Sequence, residues 1–386
     1  MKKSSVFRII SAMAVIAICL VLLSSCSIIG ITDSSDSNES EQVLYGSPFK
    51  HYYANLTDIE KKAYDKILSE VYEMPEEIVI PDIDASQLDN VFTALLLDNP
   101  DLFFVGRNAT LRTYFLVTTC SLDYIIEKED YASYKAEIDK ACDEIIASLT
   151  NPEDEWQSEL EIHDYIIKNC EYLHTKGNLI CSSVYGSLVN RKAACEGYSK
   201  AAKILFDRLG IESALVSGVS YDESGEIGAH MWNAVNINGD YYYLDLTWDD
   251  PVSSDGENVN LYTYFNVTQD VIKENYSDFS LEFSCTETKE NYYVKTGRFF
   301  ETYSSLIHEK MAALIAREID KGSAEIEIRF GSEKELEKAA EALIENGGIY
   351  SVLSAAREQS NTKFSTKNLN YYIDEELCIL TLVPSR

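Results

Sequence analysis

Cys195, His230 and Asp245 follow one another in the order and with the residue types that nucleophilic acyl chemistry needs. A cysteine attacks as thiolate, a histidine carries the proton, and a carboxylate holds that histidine in one tautomer and stabilises its imidazolium. Local sequence places the first of them. Ala193-Ala194-Cys195-Glu196-Gly197-Tyr198 leads into an amphipathic stretch that reads as a helix over 195–209, closed by Gly210. A thiol at a helix N-terminus faces unpaired amides and the positive end of the macrodipole, both of which favour thiolate, while the neighbouring Glu196 opposes them. The backbone amide of Cys195 then offers one oxyanion donor; the second is unassigned, with Tyr185 as a candidate.

The partners come from a predicted hairpin. Residues 214–220, 229–237 and 240–247 read as successive strands, the last two joined by Asn238-Gly239, a strong two-residue turn signal. That turn sets Ile237 opposite Asp240, and therefore Trp232 opposite Asp245 and His230 opposite Thr247. Alternation of side chains puts His230 and Asp245 on one face as diagonal neighbours, with Cβ atoms about 7–8 Å apart and an imidazole–carboxylate bond within reach. A slip of one residue in the turn would separate them.

Other polar clusters read as structural. His163-Asp164 lies on an amphipathic helix over 153–169, where a histidine is a core or boundary residue rather than a base. Cys170, His174 and Cys181 match no zinc-ligand spacing. Asp249, Asp250 and Asp255 raise the thought of a cation, but acidic loop residues usually face water. No metal and no cofactor is expected.

Three segments together resemble the bacterial transglutaminase-like superfamily. Ser183-Val184-Tyr185-Gly186-Ser187-Leu188 through Cys195-Glu196-Gly197-Tyr198 is similar to its nucleophile segment, His230-Met231-Trp232-Asn233 to its histidine strand, and Tyr243-Leu244-Asp245-Leu246-Thr247-Trp248-Asp249-Asp250-Pro251 to its aspartate strand. Ile162-His163-Asp164-Tyr165 resembles the helix that precedes the core. The resemblance covers about residues 155–265. It implies an α+β, papain-like core in which a cysteine helix packs on an antiparallel sheet, and a triad of Cys195, His230 and Asp245 acting on amide bonds of peptide or protein substrates through a thioester. It does not choose among peptidase, amidase and cross-linker. A catalytically silent surface binding protein on the same fold is the alternative reading.

The elements that must position these residues sit in a chain of 386 residues, long enough for more than one domain. Residues 1–25 read as a lipoprotein signal: Lys2, Lys3 and Arg8 precede an apolar run ending in Leu23-Ser24-Ser25-Cys26, with Cys26 the expected lipidation site. Residues 26–47, rich in Ser, Asp, Asn and Glu, read as a flexible tether, so a membrane-anchored cell-surface location is expected. Then follow a mainly helical region over 48–152, the transglutaminase-like core over 153–275 and a small α/β region over 276–386. A net charge of −31 argues against nucleic acid as a partner. Without Cys19 and Cys26 the remaining cysteines are odd in number and form no C-x-x-C pair, which speaks against a disulfide framework.

Overall fold

The computed structural model describes residues 46–173, 175, 177–221, 227–250, 261–375 and 377–385. The signal-like segment, Cys26, most of the tether, His174, Pro251 and Asp255 lie outside them.

The N-terminal region starts as its sequence predicts. Helix α1 (Asp58–Glu70) opens with a capping box in which Thr57 and Glu60 satisfy each other's backbone amides. Asp84 and Gln87 cap α2 (Ala85–Asp98) in the same way. Between and after these helices run β1 (Ile78–Ile80), β2 (Val105–Tyr114) and β3 (Val117–Tyr124), which form an antiparallel sheet in the order β1-β3-β2. The mainly helical lead-in thus also carries a small sheet, whose β2 and β3 overlap the Thr-, Tyr- and Val-rich stretch over 110–126. The strand residues are Thr-, Val- and Tyr-rich, and β3 buries Cys120 and Leu122 against the helices. Helix α3 (Tyr131–Ser148) follows.

The core opens with α4 (Glu155–Asn169), N-capped by Asp154. Two short strands, β4 (Glu171–Tyr172) and β5 (Lys192–Ala193), pair in parallel around the short helix α5 (Val184–Leu188). They deliver the chain to α6 (Cys195–Leu209), which ends at Gly210 with φ +74°. The sheet that carries His230 is antiparallel, in the order β8 (Asp240–Leu244), β7 (Ile227–Ile237), β6 (Ser213–Tyr221), β9 (Tyr276–Ser277). Asn238 and Gly239, with φ of 55° and 91°, make the expected two-residue turn and pair Ile237 with Asp240.

Helix α6 covers one face of this sheet. Tyr198, Leu205 and Phe206 share a core with Leu215, Val235, Ile237, Tyr242 and Leu244. On the other face Trp232, Ala234 and Tyr243 pack with Tyr264, Val267 and Tyr276. The core shared by α6 also runs back to Tyr64 on α1 and Phe104 at the start of β2, so the N-terminal layer and the catalytic region fold as one body. The expected boundary at 275/276 cuts the sheet that carries His230, since Tyr276 and Ser277 are its fourth strand. A separate core begins at Phe300. It holds β10 (Phe299–Phe300), α7 (His308–Lys321), β11 (Ile326–Phe330), α8 (Glu333–Ala339, continued as a π-turn to Glu345), α9 (Ile349–Gln359), β12 (Leu369–Asp374) and β13 (Ile379–Pro384). Helix α9 has no counterpart in the sequence reading.

One close approach matters for the site. Gly218 lies opposite His230 in the β6–β7 register, and a Cβ there would meet the Ser277 carbonyl of β9 at 2.5 Å and the Trp232 ring at 2.8 Å. Glycine is what allows β9 to close beneath His230. Gly218→Ala is therefore expected to lower the unfolding free energy by about 1–3 kcal/mol, the cost of overpacking a filled site. Urea denaturation measures it; an unchanged midpoint and slope would mean that β9 is not held by this contact.

Candidate active site

The register expectation fails in an instructive way. β8 stops at Leu244, opposite Asn233, so neither Trp232 with Asp245 nor His230 with Thr247 forms a ladder pair. Asp245 has left the sheet and enters a turn. The stretch of β7 that carries His230 consequently has β6 on one side and, among the described residues, no strand on the other. The two side chains still meet, because alternation aims both to the same side: His230 Nε2–H donates to Asp245 Oδ2 at 2.5 Å.

Asp245 is saturated with donors. Its Oδ1 accepts from the backbone N–H groups of Thr247 at 2.9 Å and Trp248 at 3.2 Å, and its Oδ2 accepts from the Tyr276 hydroxyl at 2.7 Å. All of this is buried, as is most of His230. Tyr276 is the site residue that sequence reasoning missed. It comes from a distant strand, and nothing in its neighbourhood marks it. Trp232 stacks beside the imidazole at 6.0 Å and Trp248 meets it edge-on at 6.4 Å. This aromatic box limits the rotations of His230.

Cys195 is the first residue of α6 and is half-buried. The preceding N-cap is Ala194, which has no side chain to spend on the free amides, so the helix start presents them beside the thiol. The Ser199 hydroxyl shares its hydrogen between the carbonyls of Cys195 and Met231, at 3.0 and 2.9 Å, and the Asn233 amide donates to the Ser199 carbonyl at 3.0 Å. These bonds fix the first turn of the helix to the strand residues flanking His230. Burial, the largest influence on His230, lowers its pKa, but the Asp245 charge and hydrogen bond, together with a hydrogen bond and charge from Cys195, outweigh it and raise the value to about 10. With Nε2 engaged on Asp245, Nδ1 is the ring nitrogen left for Cys195.

Glu196 is held away from harm. Arg107 of β2 donates to it at 2.7 Å and Lys200 at 2.8 Å, and despite burial these cations keep its carboxyl below the usual range. Two cations thus offset the one anion adjacent to the nucleophile.

Tyr185 is not placed to serve an oxyanion, which corrects its candidacy: its hydroxyl donates to Glu137 on α3 at 2.9 Å and its ring packs on Tyr134. Tyr172 is a phenol that does feel the nucleophile. It pairs with Ala193 in the β4–β5 register, and its pKa is raised by burial and then by the charges of Cys195 and Asp245.

His163 is fully buried. Its Nδ1 faces Asp164 at 3.0 Å and its Nε2 faces Asp249 at 3.1 Å, so both nitrogens carry protons. Burial lowers its pKa, yet the two carboxylates prevail and lift it to about 9. Asp249 also accepts from the Tyr264 backbone amide, and Asp250 accepts from the Tyr198 hydroxyl at 2.6 Å. The expectation that these acids face water is corrected: they brace the turn after Asp245. Cys170 and Cys181 are buried free thiols.

Comparison with known proteins now has a geometry to meet. Residues 139–246 match the family model of the transglutaminase-like superfamily. Over that stretch the chain is similar to the transglutaminase-like superfamily. All three triad positions fall inside the matched stretch, Asp245 close to its end. No curated protein matches the chain. Among solved structures it is similar to a TGase at 16% identity, over 43% of this chain and 48% of that one, with a TM-score of 0.27. It is also similar to a candidate cysteine protease from Cytophaga hutchinsonii (15% identity, 40% and 66% coverage, TM-score 0.26). A third likeness is to a candidate protease from Parabacteroides distasonis (10%, 41% and 40%, TM-score 0.24). The aligned stretch therefore spans about half of the TGase chain.

The raised His230 pKa carries a sign. Its imidazolium persists to high pH because Asp245 is charged beside it. Asp245→Asn removes that charge and is expected to shift the alkaline limb of Cys195 alkylation to lower pH by about 1–3 units. Labelling with iodoacetate, an anion attracted by the imidazolium and so slowed when His230 loses its proton, between pH 5 and 11 and followed by peptide mass mapping, reads the limb. An unmoved limb would show that Asp245 does not hold the proton on His230.

Proposed function

We propose that this chain is an extracytoplasmic, lipid-anchored cysteine enzyme that opens amide bonds of peptides or proteins through a thioester. The observation that carries the reading is His230, bound at Nε2 by the buried Asp245 and presented by its other side to a cysteine at an open helix start. Cys195 Sγ, as thiolate, forms a bond to the carbonyl carbon while His230 holds the imidazolium proton. The carbonyl oxygen gains the negative charge, and the Cys195 backbone N–H is one donor aimed at it. As the tetrahedral adduct collapses, the C–N bond breaks and His230 gives its proton to the leaving amine. Water then gives a proton to His230 and adds to the thioester, and the thiolate leaves. Water is the default acceptor, at about 55 M, unless a site favours an amine over it.

The assay compares wild type with Cys195→Ala, using a glutamine-containing peptide, a labelled amine and mass detection. Cleavage or deamidation without amine uptake is expected, and it should fall by roughly 10³-fold or more in the variant. Amine incorporation that needs Cys195 would instead assign acyl transfer. No Cys195-dependent product, with Cys195 alkylated no faster than the other thiols, would leave the binding protein as the reading.

The anchor rests on Leu23-Ser24-Ser25-Cys26 and the polar tether after it. Expressed with its full N-terminus in a bacterium, the wild type is expected in the detergent phase of a Triton X-114 partition and Cys26→Ser in the aqueous phase. Identical partition of the two would exclude lipidation at Cys26.

A further inference from the structure

Next to the catalytic centre, β2 and β3 leave a groove of about 630 Å³, within the range of ligand-binding pockets. Its lining is mixed, and the half-buried Met74, Tyr124, Ile125, Ile126 and Leu179 supply apolar side chains to its floor. Arg107, Asp123, Glu127 and Lys128 are among the polar residues of its rim. Two connections tie the groove to Cys195. Arg107 reaches from the rim to Glu196, the residue after the nucleophile, and also donates to Ser182 at 3.0 Å. Leu179 opens the 3₁₀ turn Leu179–Ser182, and the Cys181 carbonyl of that turn accepts from Ala194, the residue before the nucleophile, at 2.9 Å.

The backbone of this wall is irregular in a way that suits an extended ligand. β2 is the edge of its sheet, and its pairing with β3 shifts between Val105 and Ala109. Gly106, Arg107 and Asn108, the residues of that shift, all line the groove. A bulge on an edge strand interrupts the ladder and turns the strand. The shift leaves main-chain groups of Gly106, Arg107 and Asn108 out of the ladder at the groove, where an extended peptide can be met through its main chain and by adjoining pockets through its side chains.

We propose that this groove binds the peptide segment flanking the reacting amide, in extended form and with apolar side chains on the Met74–Ile126–Leu179 floor. The inference rests on the amide-cleaving reading of Cys195 and adds the substrate class: apolar-flanked peptides rather than isolated amides. The occupant is the substrate of the adjacent thiol because Arg107 and the Leu179–Ser182 turn belong both to the groove and to the nucleophile's own support.

The test compares two donors, benzyloxycarbonyl-Gln-Gly and a pool of dodecapeptides with central glutamine and randomised flanks, each with hydroxylamine as trap and mass readout. The full-length protein is used as wild type, Ile126→Asp and Ile126→Ser; the second, milder variant covers the case in which an aspartate there disturbs folding. Wild type is expected to prefer the dodecapeptides by at least about tenfold in kcat/KM, with apolar residues enriched next to the glutamine that reacts. Both variants should lose most of that preference through KM while keeping dipeptide turnover within about twofold. A dodecapeptide preference that survives both substitutions overturns the inference and leaves the enzyme reading intact. A dimer in light scattering that Ile126→Asp breaks, without a change in peptide preference, assigns the groove to a second copy and also overturns it. Absence of Cys195-dependent product from both donors in wild type removes the enzyme reading, and the inference with it.

Discussion

Much of the catalytic region is organised by one buried anion. Taking a carboxylate out of water costs several kcal/mol even after relaxation, and the cost is met only when its lone pairs are filled and its charge is countered. Asp245 receives two backbone amides, a tyrosine hydroxyl and an imidazolium. Each donor imposes geometry. The amides of Thr247 and Trp248 require the chain to leave β8 at Leu244 and turn. The hydroxyl requires β9 to lie against β6, and the imidazolium fixes the rotamer of His230. The arrangement that makes a base out of His230 is thus also the arrangement that makes Asp245 tolerable in the interior.

The turn after Asp245 is braced a second time. Asp249 pairs with His163 from α4, and Asp250 takes the hydroxyl of Tyr198 from the cysteine helix. A buried pair of this kind adds little net stability against an apolar substitute, but losing one partner strands a charge, so it acts as a register pin. Both imidazoliums, at His163 and His230, have pKa values raised above the unfolded 6.5, to about 9 and about 10. Their contribution to stability is complete below pH 6.5 and fades as pH rises through those values. Asp249, whose own pKa burial raises to about 6, sets the acidic limit of its pair with His163.

What could be read from the sequence was local. The helix over Cys195–Leu209 has its period and its Gly210 stop in one stretch of chain. The Asn238-Gly239 turn sets a register that holds from Ile237 to Asn233. Parity alone then carries His230 and Asp245 to the same side, even though the ladder between them is absent. Parity could not reveal that β8 ends early, because the cause is the buried charge of Asp245 and its partner Tyr276, 31 residues further on. Nor could it show Arg107 reaching Glu196 across 89 residues. The misjudged Tyr185 has the same origin: its hydroxyl finds Glu137, 48 residues away, and no spacing announces that.

These long-range contacts define the catalytic unit more widely than the family match does. The matched stretch, 139–246, contains Cys195, His230 and Asp245. Yet the hydroxyl that completes Asp245 comes after it, at Tyr276, and one of the two cations that neutralise Glu196 comes before it, at Arg107. The helix start itself is locally weak, since an Ala N-cap forgoes about 1 kcal/mol that Ser or Asp would supply. A cap side chain there would occupy the amides that a developing oxyanion needs. Weak local structure at Cys195 is sustained because its surroundings are over-determined: Ser199 and Asn233 tie the helix to β7, and Arg107 with Lys200 anchors Glu196. The N-terminal layer is in this sense part of the site, and the residues that make the thiol available are spread over most of the chain.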